Sequence, residues 1–166
     1  MPYARSDNFT KSPVYSCEKA VLHKEVALAL IAVQKELATH GYGIKIWDAY
    51  RPFSVQEIFW KLVPDPRYVA DPRRGSKHNR GAAVDITLVN LSDGSELEMP
   101  TEFDNFTLQA HSHTTKNISK IAIRNRIMLR QVMEKHGFDV EPTEWWHFNF
   151  RGWEKFAVLN VPLESL

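Results

Sequence analysis

The sequence predicts an α+β fold: one domain, residues 1–166, with an antiparallel sheet packed against helices. Three observations predict it. Two long stretches, 18–40 and 117–137, carry apolar residues at helical spacing. Three shorter stretches, near 43–50, 82–89 and 143–150, read as strands through alternation, β-branched content or aromatic residues. Between the second and third strands lies Asp93-Gly94, a hairpin-turn pair.

In the first helix, Val26, Leu30, Val33 and Leu37 form the apolar stripe, and Gly41 is placed to end it. "GIKIWDAY" then alternates, with Ile44 and Ile46 on one side and Lys45 and Trp47 on the other, and runs into a turn at Arg51-Pro52. Ser54 stands three residues before Glu57, a capping-box spacing that opens a short helix to about Leu62. "VPDPRYVADPRRG" (63–75), with three prolines and a glycine, reads as loop. "AAVDITLV" follows as a strand. Residues 101–116 carry no clear pattern. In the second long helix, Ile118, Ile121, Met128, Val132 and Met133 form the stripe, stopped by Gly137.

Composition excludes little but directs the search. With 43 % hydrophobic and 25 % charged residues and a net charge of +1, nothing points to nucleic acid or to a membrane surface. No apolar run reaches the ~20 residues of a bilayer span. The single cysteine, Cys17, excludes an internal disulfide. No secretory h-region opens the chain, so the expected location is cytoplasmic.

Chemistry concentrates in "GSKHNRGAAVDITL" (75–88) and "TEWWHFNF" (143–150). Strand alternation sets Ala83, Asp85 and Thr87 on one face and Val84, Ile86 and Leu88 on the other. Asp85 is therefore a carboxylate among small neighbours, and Gly81 gives the freedom to turn His78 back beside it. His78, Asp85 and His147 make a donor set of two imidazoles and one carboxylate, suited to Zn²⁺ with one position open for water. Glu144 is then placed to act as general base. The alternative is a surface loop leading into a solvated strand. One difficulty is geometric: positions 144 and 147 point to opposite faces of a flat strand, so the strand must begin after Glu144 or twist there. Alternation also puts Trp145 with His147, and Trp146 with Phe148 on the packing side.

These stretches resemble the zinc D-alanyl-D-alanine dipeptidases, relatives of the D,D-carboxypeptidases and of the hedgehog signalling domain. "SKHNRGAAVD" fits Ser-x-His-x(6)-Asp and "EWWH" fits Glu-x-x-His. "YARSDNFT", "WDAYRP" (47–52), "EFD" (102–104) and the "RNR…EKHGF" helix follow in order. The resemblance implies the fold of those enzymes and one zinc per chain held by His78, Asp85 and His147. It implies Glu144 as base, Arg51 as stabiliser of the oxyanion, and Ser76 and Tyr3 at the substrate; Asp48 is expected to orient Arg51 or a nearby stretch of backbone. The substrate implied is a small D-amino-acid dipeptide. A departure at "EMPTEFD" (98–104) bears on substrate preference.

A carboxypeptidase or endopeptidase acting on larger peptidoglycan peptides is the second reading, and a non-catalytic zinc-bearing binding domain the third. A base and an oxyanion partner argue against the third, because a structural metal needs neither. His111 and His113 lie two apart in "HSHTT" and read as an exposed polar segment or a pocket rim. Arg73, Arg74, Lys77 and Arg80 surround the metal loop as solvated charges or as an attraction for a substrate carboxylate.

Overall fold

Val26, Leu30, Val33 and Leu37 recur at helical spacing, and all four are buried in α1, Lys24–Ala38. The computed structural model describes every residue, Met1–Leu166. After α1 come β1 (Tyr42–Asp48), α2 (Phe53–Leu62), β2 (Ala83–Asn90), α3 (Lys120–Lys135), β3 (Phe138–Glu141) and β4 (Glu144–Phe150). The four strands form one antiparallel sheet in the order β1-β2-β4-β3. No helix is long and apolar enough to cross a membrane.

Period-2 alternation on β2 separates core from site. Val84, Ile86 and Leu88 are fully buried against α1 and α3; burying such side chains is worth roughly 1.5–3 kcal/mol each. Asp85 leaves the opposite face. There a second aromatic cluster, including Tyr3, Tyr15, Tyr50 and Phe59, packs under the N-terminal segment.

The helices differ from expectation at their ends. α1 starts at Lys24 rather than near Glu18, because the preceding backbone is engaged elsewhere. Tyr50 N donates to Val21 O, and His23 N donates to Gly81 O. The Ser54/Glu57 capping box does not form: α2 has Pro52 at its N-cap without a side-chain cap, and Ser54 N donates to Asn160 Oδ1. α3 begins at Lys120, capped by Ser119 Oγ accepting from Ala122 N. Its buried stripe runs through Ala122, Leu129, Val132 and Met133, leaving Ile121 half exposed. The four-residue β3 is too short to show a period and has no counterpart in the sequence reading.

Pairing irregularities occur at two places that matter. Between β1 and β2 the register shifts between Ile46 and Asp48, which sets Asp48 opposite Asp85. Between β3 and β4 the pairs run from Val140↔Phe148 directly to Glu141↔Glu144, so Trp145, Trp146 and His147 form a wide bulge on β4.

Candidate active site

The loop before β2 is shaped by two small features. His78–Arg80 is one 3-10 turn, and Gly81 follows with φ 59°. A Cβ at Gly81 would sit 2.9 Å from the His23 backbone nitrogen, so glycine is required both by conformation and by space. Asn79, fully buried, ties the loop down: Oδ1 accepts from Ser76 N at 2.7 Å, and Nδ2 donates to Arg51 O at 2.9 Å. Sequence reasoning passed over Asn79, since an asparagine in a polar loop carries no distinguishing signal.

This folding returns His78 over Asp85, and antiparallel pairing sets His147 directly across from Asp85. His78 Nε2 and His147 Nδ1 are 3.2 Å apart. Asp85 Oδ1 lies 3.4 Å from the first and 3.0 Å from the second. Three donors on a tetrahedral ion at ~2.0–2.1 Å would be separated by about 3.3 Å. The triangle therefore already has the dimensions of a zinc site. Asp85 Oδ1 is buried and has no hydrogen-bond partner. His78 Nδ1 lies 2.6 Å from Ala49 O. A carbonyl can only accept, so Nδ1 carries the proton and the Nε2 lone pair faces the triangle. A buried carboxylate oxygen without a hydrogen-bond partner, set between two imidazole nitrogens, fits a cation.

The bulge settles the question of Glu144. β4 begins at Glu144 itself, not after it, and the bulge supplies the turn that brings positions 144 and 147 to one side. The Glu144 carboxylate lies 3.8 Å from His147 Nδ1. The same distortion changes one of the tryptophans. Trp145, expected beside His147, is fully buried in the core with its indole N–H donated to Thr101. Trp146 lies in the core as expected, and also borders the cavity.

Charge is dense here. Burial acts to raise the Asp85 carboxyl, but a positive charge on His78 and contact with His147 would hold it well below the usual carboxylate range until the imidazoles give their lone pairs to a metal. Burial pushes Glu144 up to about 8, against the opposing pull of His147. For Arg51, burial disfavours the cation, yet Asp48 together with its other neighbours, Asp85 among them, more than compensates and the guanidinium stays charged. Its Nε and Nη2 both donate to Asp48 Oδ2, at 3.0 and 2.7 Å, and Nη1 donates to Gln56 Oε1 at 2.7 Å. The guanidinium also lies over Phe59 at 4.5 Å. Of its five N–H groups three are thus engaged, leaving two free. Asp48, fully buried, takes a further bond from the Tyr15 hydroxyl.

A cavity of about 130 Å³ opens on this centre. Ser76, Arg51, Tyr3, Asp104, Glu144 and Trp146 line it together with the three donors. Ser76 Oγ accepts from His78 N. Tyr3 is buried and donates to both Asp104 oxygens, at 2.9 and 3.0 Å. Asp104 is held at φ 57°, an uncommon conformation for a residue with a side chain. Burial, then the charge of Asp85, pushes it up to about 8. Only the "EFD" motif pointed toward Asp104. Of the basic cluster, Lys77 alone lines the cavity; Arg73 pairs with Asp71, and Arg80 donates to Phe156 O. His111 and His113 stay outside: the His111 carbonyl accepts from Arg126, and His113 meets Arg130.

A family model, Peptidase_M15, described as D-ala-D-ala dipeptidase, matches residues 1–157. The chain is 36 % identical over 148 residues to a D-alanyl-D-alanine dipeptidase of Escherichia coli K12, covering 89 % of this chain and 76 % of that protein. It is 36 % identical over 166 residues to one of Enterococcus faecalis V583, covering 88 % and 82 %. Among solved structures, the LdcB LD-carboxypeptidase aligns with a TM-score of 0.52 at 20 % identity, covering 84 % of this chain and 65 % of that one. A vancomycin-resistance D,D-pentapeptidase, a VanY mutant in complex with Zn(II), aligns with a TM-score of 0.52 at 14 % identity, covering 85 % and 82 %. At these identities the structural likeness concerns the fold.

Proposed function

The chain belongs to the Peptidase_M15 family of D-Ala-D-Ala dipeptidases, and from that premise we propose that it hydrolyses D-alanyl-D-alanine to two D-alanines at a zinc site formed by His78, Asp85 and His147. The observation that carries the reading is the donor triangle of 3.0–3.4 Å with Glu144 beside it. Zinc, once held there, supplies Lewis acidity toward the scissile carbonyl and brings the pKa of a water at its open position toward ~7.

The protein's own groups do the rest. Glu144, next to the triangle, takes the proton of the attacking water and delivers it to the leaving amine. The two free N–H groups of Arg51 stabilise negative charge developing on the scissile oxygen. Asp48 and Gln56 fix the guanidinium in advance, so little reorganisation is needed at the moment of reaction. The substrate ammonium needs a carboxylate; of the two lining the cavity that serve neither metal nor base, Glu141 is already paired with Lys77 and Asn149, which leaves Asp104. Tyr3 aims it. The Ser76 hydroxyl meets the substrate carboxylate, and Lys77 adds attraction at the rim.

The test is to compare D-alanine release from the dipeptide and from a wall pentapeptide by zinc-loaded protein. The dipeptide should have the higher kcat/KM by at least ~10-fold. A preference for the pentapeptide would assign the site to larger wall peptides instead.

Asp104→Asn has two expected effects. It should raise KM for the dipeptide about 10- to 100-fold, the value of a charge-assisted hydrogen bond, with a smaller change in kcat. It should also stabilise the zinc-free protein at pH 8. A carboxyl raised to about 8 in the folded state keeps a proton that the unfolded chain releases near ~4, so stability falls as pH rises between these values. Removing the group removes that slope. Thermal melts at pH 5 and pH 8 read it, and an unchanged slope would contradict the placement of Asp104.

A further inference from the structure

We propose that Asn149, held in place by Glu141 and Lys77, is the positioning residue that sets His147 for the metal. The inference rests on the zinc reading above. Residues 147 and 149 are two apart on β4, so both project from one face of the strand. His147 Nε2 and Asn149 Oδ1 are 2.8 Å apart. An amide could present either oxygen or nitrogen to the ring, and Glu141 decides which. Asn149 Nδ2 lies 3.0 Å from Glu141 Oε2, and an ionised carboxylate only accepts. The amide nitrogen must therefore face Glu141, and its oxygen must face His147.

That oxygen also only accepts, so His147 Nε2 carries the proton. Nδ1, the atom in the donor triangle, is left with its lone pair. Lys77 Nζ, 3.4 Å from Glu141 Oε2, holds the carboxylate at the far end of the chain. The β3–β4 pairing that sets Asp139 opposite Asn149, together with the bulge, brings Glu141 within reach.

His78 is oriented by the backbone carbonyl of Ala49, which no side-chain substitution can remove. Asn149 is thus the point where metal affinity is open to mutation without touching a ligand. Outer hydrogen-bond partners of metal-binding histidines typically carry 10- to 100-fold in metal affinity.

The experiment measures zinc dissociation constants by competition with a chromogenic chelator, alongside melts of the zinc-free proteins. Asn149→Ala should weaken zinc binding about 10- to 100-fold with the zinc-free melt unchanged. Asn149→Leu, matched in volume and lacking an acceptor, serves should the alanine variant be unstable. The double substitution Glu141→Gln/Asn149→Asp exchanges amide and carboxylate along the chain and keeps an acceptor on His147. It should restore affinity to within a few-fold of the unsubstituted protein. Wild-type affinity in Asn149→Ala or Asn149→Leu, or no rescue by the double substitution, would overturn the inference while leaving the zinc reading standing. A parent protein that binds no zinc would remove the zinc reading and this inference with it.

Discussion

Glu144→Ala should lower kcat for D-alanyl-D-alanine by about 10³-fold, in the range expected for loss of a general base, while the protein keeps its zinc. The expectation follows from position. Glu144 lies beside the donor triangle, 3.8 Å from His147 Nδ1, without belonging to the triangle itself. A residue in that place moves protons and does not hold the ion. Glu144→Gln keeps the shape and should be as inactive. Neither variant should melt lower than the parent, because burial already disfavours an ionised carboxyl at this position. Zinc stoichiometry, kcat and a thermal melt on the same preparations check all three. Turnover near the parent's in a zinc-loaded Glu144→Ala protein would take Glu144 out of the reaction.

Arg51→Ala should produce a different signature, losing activity and stability together. Loss of an oxyanion donor costs about 10²–10³ in kcat. Asp48, fully buried, would also lose its cationic partner, and breaking a buried pair from one side costs about 3–5 kcal/mol. Asp48→Asn combined with Arg51→Ala removes the stranded charge. It should recover part of the unfolding free energy and none of the turnover. Arg51→Lys keeps a charge but not the fork that meets Asp48, Gln56 and the cavity at once, so it should fold and remain at least ~10-fold impaired. Denaturant unfolding beside steady-state kinetics separates these outcomes. Full recovery of kcat in the double variant would contradict a role for Arg51 at the substrate.

The contrast between these residues explains what could be read from the chain alone. His78, Asp85 and His147 stood out by residue type, by the small neighbours of Asp85, and by Gly81, whose left-handed φ was foreseeable from glycine itself. The face assignment of β2 was legible because a regular strand has a strict period. Glu144 was identifiable as a residue but not as a geometry. Its approach to His147 depends on the three-residue bulge against β3, and that strand is four residues long and has no readable period. The same bulge turned Trp145, expected beside His147, into the core with Trp146. Asp104 reaches the cavity through a left-handed backbone conformation that an aspartate does not announce. Ser54 had the spacing of a helix cap, yet Pro52 and the distant Asn160 took over that end of α2. Local patterns were reliable where the local chain decided the outcome, and failed where a contact far along the chain decided it.

The central claim is that hydrolysis requires one zinc ion held by His78, Asp85 and His147. Titrating zinc back into chelator-stripped protein, while recording D-alanine release from D-alanyl-D-alanine, tests it most directly. The account predicts no turnover in the stripped protein, a rise proportional to bound zinc, a plateau at one zinc per chain, and neither binding nor turnover in His78→Ala. Undiminished turnover in protein stripped of metal, or a full zinc complement and full activity in His78→Ala, would contradict it.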